Sequence, residues 1–414
     1  MLFDGKKRFK NELIDNWNTD TKYRTHTYIS KASLGPNGTW VPGAECPVPD
    51  EPTGTLRISW NWQISLFGGT TIGMGTCFCK SPLKHENKDI VTSGELTPNA
   101  GPPRFRILLT GGKNNGRRIA SSELYPASPS CTVPSLPEAR ELHATFLTAD
   151  IEPRIVTCGG FTGEYKLGRP DYHKKGKDCF TLKDGRWQRG EVEDLRVPRT
   201  FPTVVTMSVG VYVLHGNMPV EAWGTSDFLP AGSSHWIKGP NVSISHRKGC
   251  SAQISTNSFL IVSNRHVLEF DTSVMEGPTS ETGWQPEETW PQLLVGGGNQ
   301  QAGCATIGSL FVVALGHNNG NSPNMEIINL KTKTLTKGED MVRPRLYFHI
   351  KTLGTEIFAL GGVYLTGGWT YLNMVEKWGE KTSTWQQAGN LTLKRGMGFG
   401  AVVVPTEMVC PCTC

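Results

Sequence analysis

Short apolar runs along this chain end again and again on a pair of glycines. Arg106-Ile107-Leu108-Leu109-Thr110 leads into Gly111-Gly112, Arg154-Ile155-Val156-Thr157-Cys158 into Gly159-Gly160, and Glu356-Ile357-Phe358-Ala359-Leu360 into Gly361-Gly362. Weaker copies lie between them: Val213-Leu214-His215-Gly216, Ile261-Val262-Ser263-Asn264 and Ala314-Leu315-Gly316-His317. The steps from one to the next are 48, 56, 48, 53 and 45 residues. Runs this short, rich in β-branched and aromatic residues and bounded by turn residues, predict strands rather than helices. A period near ~50 residues built from strands and turns predicts a repeat of small sheets, each unable to bury both faces alone.

Each unit reads as four strands. In the second, Leu142 to Leu147 is the inner strand, Arg154 to Gly160 the next and Asp178 to Leu182 the third. After the Asp184-Gly185 turn, Arg186-Trp187 begins the outer strand. The third unit repeats this with Phe201 to Thr206, Gly210 to Gly216, Thr225 to Leu229 and Trp236. The fourth has Cys250 to Ile254, Ser258 to Ser263, Arg265 to Phe270 and Trp284. The fifth has Cys304 to Ile307, Leu310 to Gly316 and Met325 to Leu330, without the tryptophan. The sixth has Tyr347 to Lys351, Glu356 to Gly362, Leu372 to Trp378 and Trp385. The first has Arg106 to Gly112 and Ser122 to Tyr125 but no inner strand upstream. Gly398 to Val404, at the far end of the chain, supplies it and closes the ring, which removes exposed sheet edges.

The expectation is an all-β, six-bladed propeller over residues 105–404, flanked by an irregular cysteine-containing region over 1–104 and a cysteine-rich tail over 405–414. Leu56 to Trp62 and Gln63 to Gly69 resemble two strands, so a divergent seventh blade is the alternative. From Arg106 to Val404 the chain resembles the kelch-repeat family. The glycine pairs, the spaced tryptophans and the arginine before each inner strand carry the likeness. Blades four and five depart from the Gly-Gly pattern, which puts their strand ends in doubt.

Eleven cysteines suggest an oxidising compartment. Cys158 and Cys179 fall on adjacent strands, which brings Cα atoms within disulfide reach. The pair resembles a Cys-Gly-Gly…Cys arrangement of extracellular-type kelch chains; two buried thiols are the alternative reading. Cys46, Cys77 and Cys79 precede the blades, and Cys410, Cys412 and Cys414 follow them. If the last strand joins blade one, the two groups meet and disulfides between them would staple the ring. A zinc site in the tail ranks lower, because C-x-C-x-C lacks the usual ligand spacing. Cys250 and Cys304 hold equivalent places on inner strands and read as small buried residues. Cys131 lies on the link after blade one, and an odd count leaves at least one cysteine free or paired between chains.

The net charge of +5 with no basic, aromatic-interleaved cluster gives no case for nucleic acid. No apolar run approaches the ~20 residues that span a bilayer. Met1 to Asn18 has no apolar core of a signal peptide. Secretion, with the leader removed, is nevertheless the favoured reading over a cytoplasmic one. Sequons at Asn37, Asn241 and Asn390 fit it as glycosylation sites.

Five units place an arginine just before the inner strand: Arg140, Arg199, Arg247, Arg345 and Arg395; blade five has Gln300-Gln301. Such positions should ring one mouth of the channel, and a guanidinium suits carboxylates and phosphates. In kelch ubiquitin-ligase adaptors this end of the propeller grips acidic peptides, so the resemblance implies a protein or anionic-glycan partner on the arginine-bearing face. The competing reading is structural, each arginine satisfying carbonyls or a neighbouring carboxylate. Galactose oxidase, a kelch propeller with a copper site, sets a third reading. Here one Tyr172-His173 dipeptide lies among lysines, and His143 and His349 fall singly on inner strands. No phosphate-binding loop, nucleophile elbow or zinc-protease motif occurs. The sequence therefore predicts a non-catalytic, extracellular binding scaffold without a cofactor or metal, with an intracellular adaptor as the alternative.

Overall fold

The computed structural model describes residues 105–414 apart from 129–130, 163–174, 217–223, 243–248, 264, 275–279, 295–301, 315–323, 366 and 411–414. It also describes four strands nearer the N-terminus. Among those four, Ala32–Leu34 pairs with Trp40–Pro42, and Arg57–Leu66 pairs with Gly69–Phe78. The two strands expected at Leu56 to Trp62 and Gln63 to Gly69 fall largely within the one strand Arg57–Leu66, which pairs instead with Gly69–Phe78.

From residue 105 onward the described residues form six antiparallel blade sheets of three or four strands, with three two-stranded sheets beside them. Blade two is Ala144–Leu147, Ile155–Cys158, Cys179–Lys183 and Arg186–Gln188. Blade three is Thr203–Met207, Gly210–Leu214, Ser226–Pro230 and Ile237–Lys238. Blade four is Cys250–Gln253, Ser258–Ser263 and His266–Asp271, with Trp284 bridged to Phe270 in place of an outer strand. Blade five is Gly303–Ile307, Leu310–Ala314, Met325–Asn329 and Thr334–Lys337. Blade six is His349–Leu353, Glu356–Leu360, Met374–Gly379 and Trp385–Asn390. Blade one is assembled from both ends: Gly400–Pro405 pairs with Phe105–Thr110, which pairs with Ser122–Tyr125. Gly400 lies opposite Thr110 and Pro405 opposite Phe105, so the last strand closes the ring.

Apolar packing is divided by seam, with one core between each pair of neighbouring blades. Phe146 and Val156 of blade two meet Val211 and Trp236 of blade three. Tyr212 and Phe228 meet Phe259 and Phe270 between blades three and four. Ala305 and Val312 meet Ile350 and Trp378 between five and six. Ile107 and Leu109 meet Phe358 and Leu360 where six meets one. Each fully buried apolar side chain contributes about 1.5–3 kcal/mol, so a blade is stable only between its neighbours.

The outer tryptophans seal these seams toward the preceding blade. Trp187 Nε1 donates to Pro134 O at 3.0 Å, Trp236 Nε1 to Glu193 O at 2.9 Å, and Trp284 Nε1 to Asn241 O at 2.9 Å. Blade five has no outer tryptophan. Trp290, from the link before it, fills the seam between blades four and five and donates to Glu269.

Inner strands begin later than the hydrophobic pattern predicts. Leu142, Phe201, Tyr347 and Met397 each adopt positive φ, between 50° and 59°, just ahead of the strand. A residue in that region cannot continue a strand, so pairing starts at Ala144, Thr203, His349 and Gly400.

Candidate functional site

The glycine pairs and the arginines form one repeated device. In blade two, Arg140 Nη1 donates to Gly159 O at 3.0 Å and Nη2 reaches Asp178 Oδ2 at 2.5 Å. In blade three, Arg199 Nη1 donates to His215 O at 2.9 Å and Nε to Asp227 Oδ2 at 2.7 Å. In blade six, Arg345 Nη1 donates to Gly361 O at 2.9 Å and its Nη2 pairs with Glu376. In blade one, Arg395 donates to Gly111 O at 2.6 Å and to Glu123 Oε1 at 2.5 Å. The second glycine of the preceding blade then donates its N–H to the arginine's own carbonyl: Gly112 to Arg140, Gly160 to Arg199 and Gly362 to Arg395, at 2.7–2.8 Å. Arg140, Arg199 and Arg395 thus each rivet their own turn and the turn of the blade before, while Arg345 holds its own turn. In blade two the turn needs glycine at its first position, because Gly159 has φ +71° and a Cβ there would stand 2.7 Å from Arg199 O.

These arginines present no charge to solvent. Arg140, Arg199 and Arg395 are 0% exposed and Arg345 is 1% exposed. Burial pulls Arg345 below the ordinary guanidinium range, and Glu376 opposes that shift. The expected charged ring at the channel mouth is therefore, for these four, a set of internal ion pairs; Arg247 lies outside the described residues. A carboxylate also sits at the equivalent place in blade five, where Glu326 is 1% exposed and accepts the Leu294 N–H at 2.8 Å.

Apolar residues occupy the mouth instead. The left-handed residues are strung together by backbone bonds around the ring: Phe201 N–H to Leu142 O, Leu142 N–H to Gly398 O, and Gly398 N–H to Tyr347 O. Phe201 of blade three and Tyr347 of blade six, on opposite sides of the ring, bring their centroids to 5.8 Å. Tyr347 in turn stacks edge-on with Trp369 at 6.0 Å. Trp369 belongs to a hairpin of blade six, Val363–Leu365 paired with Trp369–Tyr371. Trp369 is 46% exposed and Leu365 37%. This aromatic train from hairpin to axis was missed in the sequence, where Phe201 and Tyr347 were read as strand residues.

Below the mouth, His143 Nε2 lies 2.9 Å from Thr110 Oγ1, which lies 2.8 Å from Thr145 Oγ1. His349 Nε2 donates to Phe399 O at 2.6 Å. Burial holds His143 well below the ordinary imidazole range and takes His349 down to about 3. Both histidines are neutral side chains bonded inside the ring. Among the described residues no group of three or more His, Cys, Asp or Glu side chains is gathered as metal ligands; Tyr172 and His173 lie outside them.

Three disulfides are present among the described residues. Cys158 is bonded to Cys179, opposite it in the ladder. Cys250 is bonded to Cys304, which corrects their reading as small buried thiols and ties the inner strands of blades four and five. Cys410 is bonded to Cys131, across 279 residues of sequence. Cys410 is thus fastened to the link after blade one rather than to an N-terminal cysteine, because the short helix Thr406–Val409 turns it against that link. Cys46, Cys79, Cys412 and Cys414 lie outside the described residues. Cys77 falls within the strand Gly69–Phe78, where only the backbone is described. Of the sequon asparagines, Asn390 is exposed, Asn241 donates to Glu281, and Asn37 lies outside the described residues.

No protein-family model matches the chain. A segment of 70 residues, 16% of the chain, is 40% identical to an F-box/kelch-repeat protein of Arabidopsis thaliana, of which it spans 15%. The chain is a six-bladed β-propeller closed by its last strand, and that match together with the glycine turns fits a kelch-repeat propeller.

Proposed function

We propose that the protein is a non-catalytic scaffold that binds another protein through the glycine-turn end of the ring. The observation that carries this reading is the aromatic train Trp369–Tyr347–Phe201, half-exposed at the hairpin and partly buried toward the axis. Exposed aromatic side chains anchored on a rigid frame are what binding hot spots are made of. The internal pairing of the arginines weighs against an anionic glycan and for an apolar contact.

The extracellular reading is supported by the three disulfides, which persist in oxidising compartments. The intracellular adaptor reading is supported by the F-box in the name of the plant relative. Affinity capture with the full chain from both secreted fluid and cell extract discriminates them, with Trp369→Ala as the control. A partner retained by wild type and lost with Trp369→Ala supports the reading. Equal retention by both would refute the hairpin as the contact.

A further inference from the structure

Blades one and four have three strands where the other blades have four. In blade four other residues cover the outer edge: Trp284 bridges to Phe270, and Gln285 N–H bonds to Glu269 O. In blade one the outer edge is Ser122–Tyr125. Gly111 N–H bonds to Ser121 O, so the alternate residues Ser122 and Leu124 turn their N–H and C=O groups outward, away from Phe105–Thr110. The link that follows returns past this edge, held by Leu136 N–H on Ala120 O and by the Cys131–Cys410 bond. Among the described residues no backbone bond joins that link to Ser122 or Leu124. A cleft of about 240 Å³ lies there instead, lined by Ser122, Leu124, Cys131, Thr132, Val133 and Thr392 among others.

Blade three shows how a fourth strand meets such an edge. Ser122 and Ser226 each open the third strand of their blade. Each follows the residue whose carbonyl accepts the rivet arginine, Ser121 and Thr225. The end of the outer strand satisfies Ser226 twice: Gly239 N–H bonds to its carbonyl at 3.1 Å, and its Oγ donates to Pro240 O at 2.6 Å. In blade five Met325 O, at the same place, accepts Gly338 N–H at 2.9 Å. Ser122 Oγ, by contrast, is buried without a hydrogen-bond partner among the described residues. Leu124 is 5% exposed. Buried polar groups left unpaired cost stability, and an unpaired sheet edge is a template for a further strand.

We infer that this cleft receives an extended segment of a partner protein, which joins blade one as its fourth strand. Outward main-chain groups at alternate residues call for the main chain of another strand in return. The segment needs no large aromatic residue, because Tyr125 already ties the seam to blade six by donating its hydroxyl to Ala388 O at 2.9 Å. Outer tryptophans play that part at Trp187 and Trp236. The cleft is smaller than the ~300–1,000 Å³ of small-molecule pockets, which favours small or β-branched side chains on a strand. Its charges, Glu123 and Arg395, are paired with each other and solicit no ion. Proline is excluded at the pairing positions, where it has no N–H to give. No residue of the cleft belongs to the Trp369 hairpin of blade six, so this contact stands independently of that one.

Fluorescence anisotropy of a labelled, capped peptide of residues 332–339 against the full chain tests this. The peptide contains the outer strand of blade five, Thr334–Lys337, which carries no tryptophan. Saturable binding with a Kd below about 1 mM is expected. Two further peptides are N-methylated on alternate sets of amides. The set that faces Ser122 and Leu124 should weaken binding at least about tenfold, and the other set less than about twofold. Ser122→Pro removes an outward N–H without touching a ladder bond and should abolish binding. Trp369→Ala should bind the peptide as wild type does. No saturable binding, wild-type affinity in Ser122→Pro, or equal loss from both methylated sets would overturn the site. A loss with Trp369→Ala would move the peptide to the hairpin and overturn it too. Should Ser122→Pro not fold, the two methylated peptides on wild type decide.

Discussion

Arg345 and Glu376 give the clearest measure of what the arginine rivets contribute. Both side chains are essentially fully buried and paired. Arg345 also donates to Gly361 O at 2.9 Å and Met374 O at 3.2 Å. Glu376 also accepts the N–H groups of Val342 at 2.7 Å and Arg343 at 3.2 Å, which fixes the link entering blade six. Arg345→Met leaves a buried carboxylate without its cation and removes the guanidinium bond to Gly361 O. Breaking one side of such a pair costs about 3–5 kcal/mol. Glu376→Gln strands the guanidinium and should cost a similar amount. The double variant removes both charges while the amide oxygen can still accept from the link. Its loss should fall short of the sum of the single losses by at least about 2 kcal/mol. Arg343→Met, at an exposed neighbour, should change stability by less than about 0.5 kcal/mol. Urea unfolding followed by tryptophan fluorescence measures all four. A single-variant loss under about 1 kcal/mol, or additivity within about 0.5 kcal/mol, would refute the rivet.

Two further outcomes follow from burial. His143 and His349 are held neutral in the fold, so the unfolded chain binds more protons below the ordinary imidazole range. Stability should therefore fall as pH drops from about 6.5, by up to about 1.4 kcal/mol per pH unit for each histidine, with the His349 share ending near pH 3. Urea midpoints between pH 4.5 and 7 check this, above the range where carboxylates protonate; a flat profile there would contradict it. Graded reduction followed by alkylation and peptide mapping should open Cys131–Cys410, whose cysteines are partly exposed, well before Cys158–Cys179, whose cysteines are 0% and 1% exposed. The reverse order would refute the placement of the tail.

The ring and its closure were legible because they rest on local signals: an apolar run, a glycine turn and a final apolar strand that needs a partner. The arginine spacing was equally visible, but its meaning was not. The matching carboxylates Asp178, Asp227 and Glu376 follow 28–38 residues later on the third strand, and Glu123 lies 272 residues before Arg395. One signal could have found them: blades one, two, three and six each carry an acid within three residues of the start of the third strand. The cysteine pairs between strands were less accessible to such reasoning. Cys250 opens the inner strand of blade four and Cys304 is the second residue of the inner strand of blade five, and only the closeness of neighbouring inner strands at the axis makes a bond of them. The mouth escaped notice because positive φ at Phe201 and Tyr347 lifts out of the strand two residues whose apolar character fits one.

The seams differ in what holds them, and the differences compensate. Where a glycine pair precedes an arginine, between blades one and two, two and three, and six and one, the neighbouring turns are bonded through that arginine's carbonyl. Blade five has no arginine at this place in the sequence, and blade four lacks the glycine pair. The seam between those two blades carries the Cys250–Cys304 disulfide and Trp290. A covalent tie and an extra ring thus stand where the hydrogen-bonded device is missing. The closing seam has the rivet of Arg395, but Lys351 stands at the inner-strand position where the other five blades carry an apolar residue. Ring closure relies there on the six-residue ladder of the last strand and on Cys131–Cys410 just beyond it. Because these devices fix the turns from inside, the hairpins beyond them are free to carry side chains such as Trp369 that the fold itself does not need.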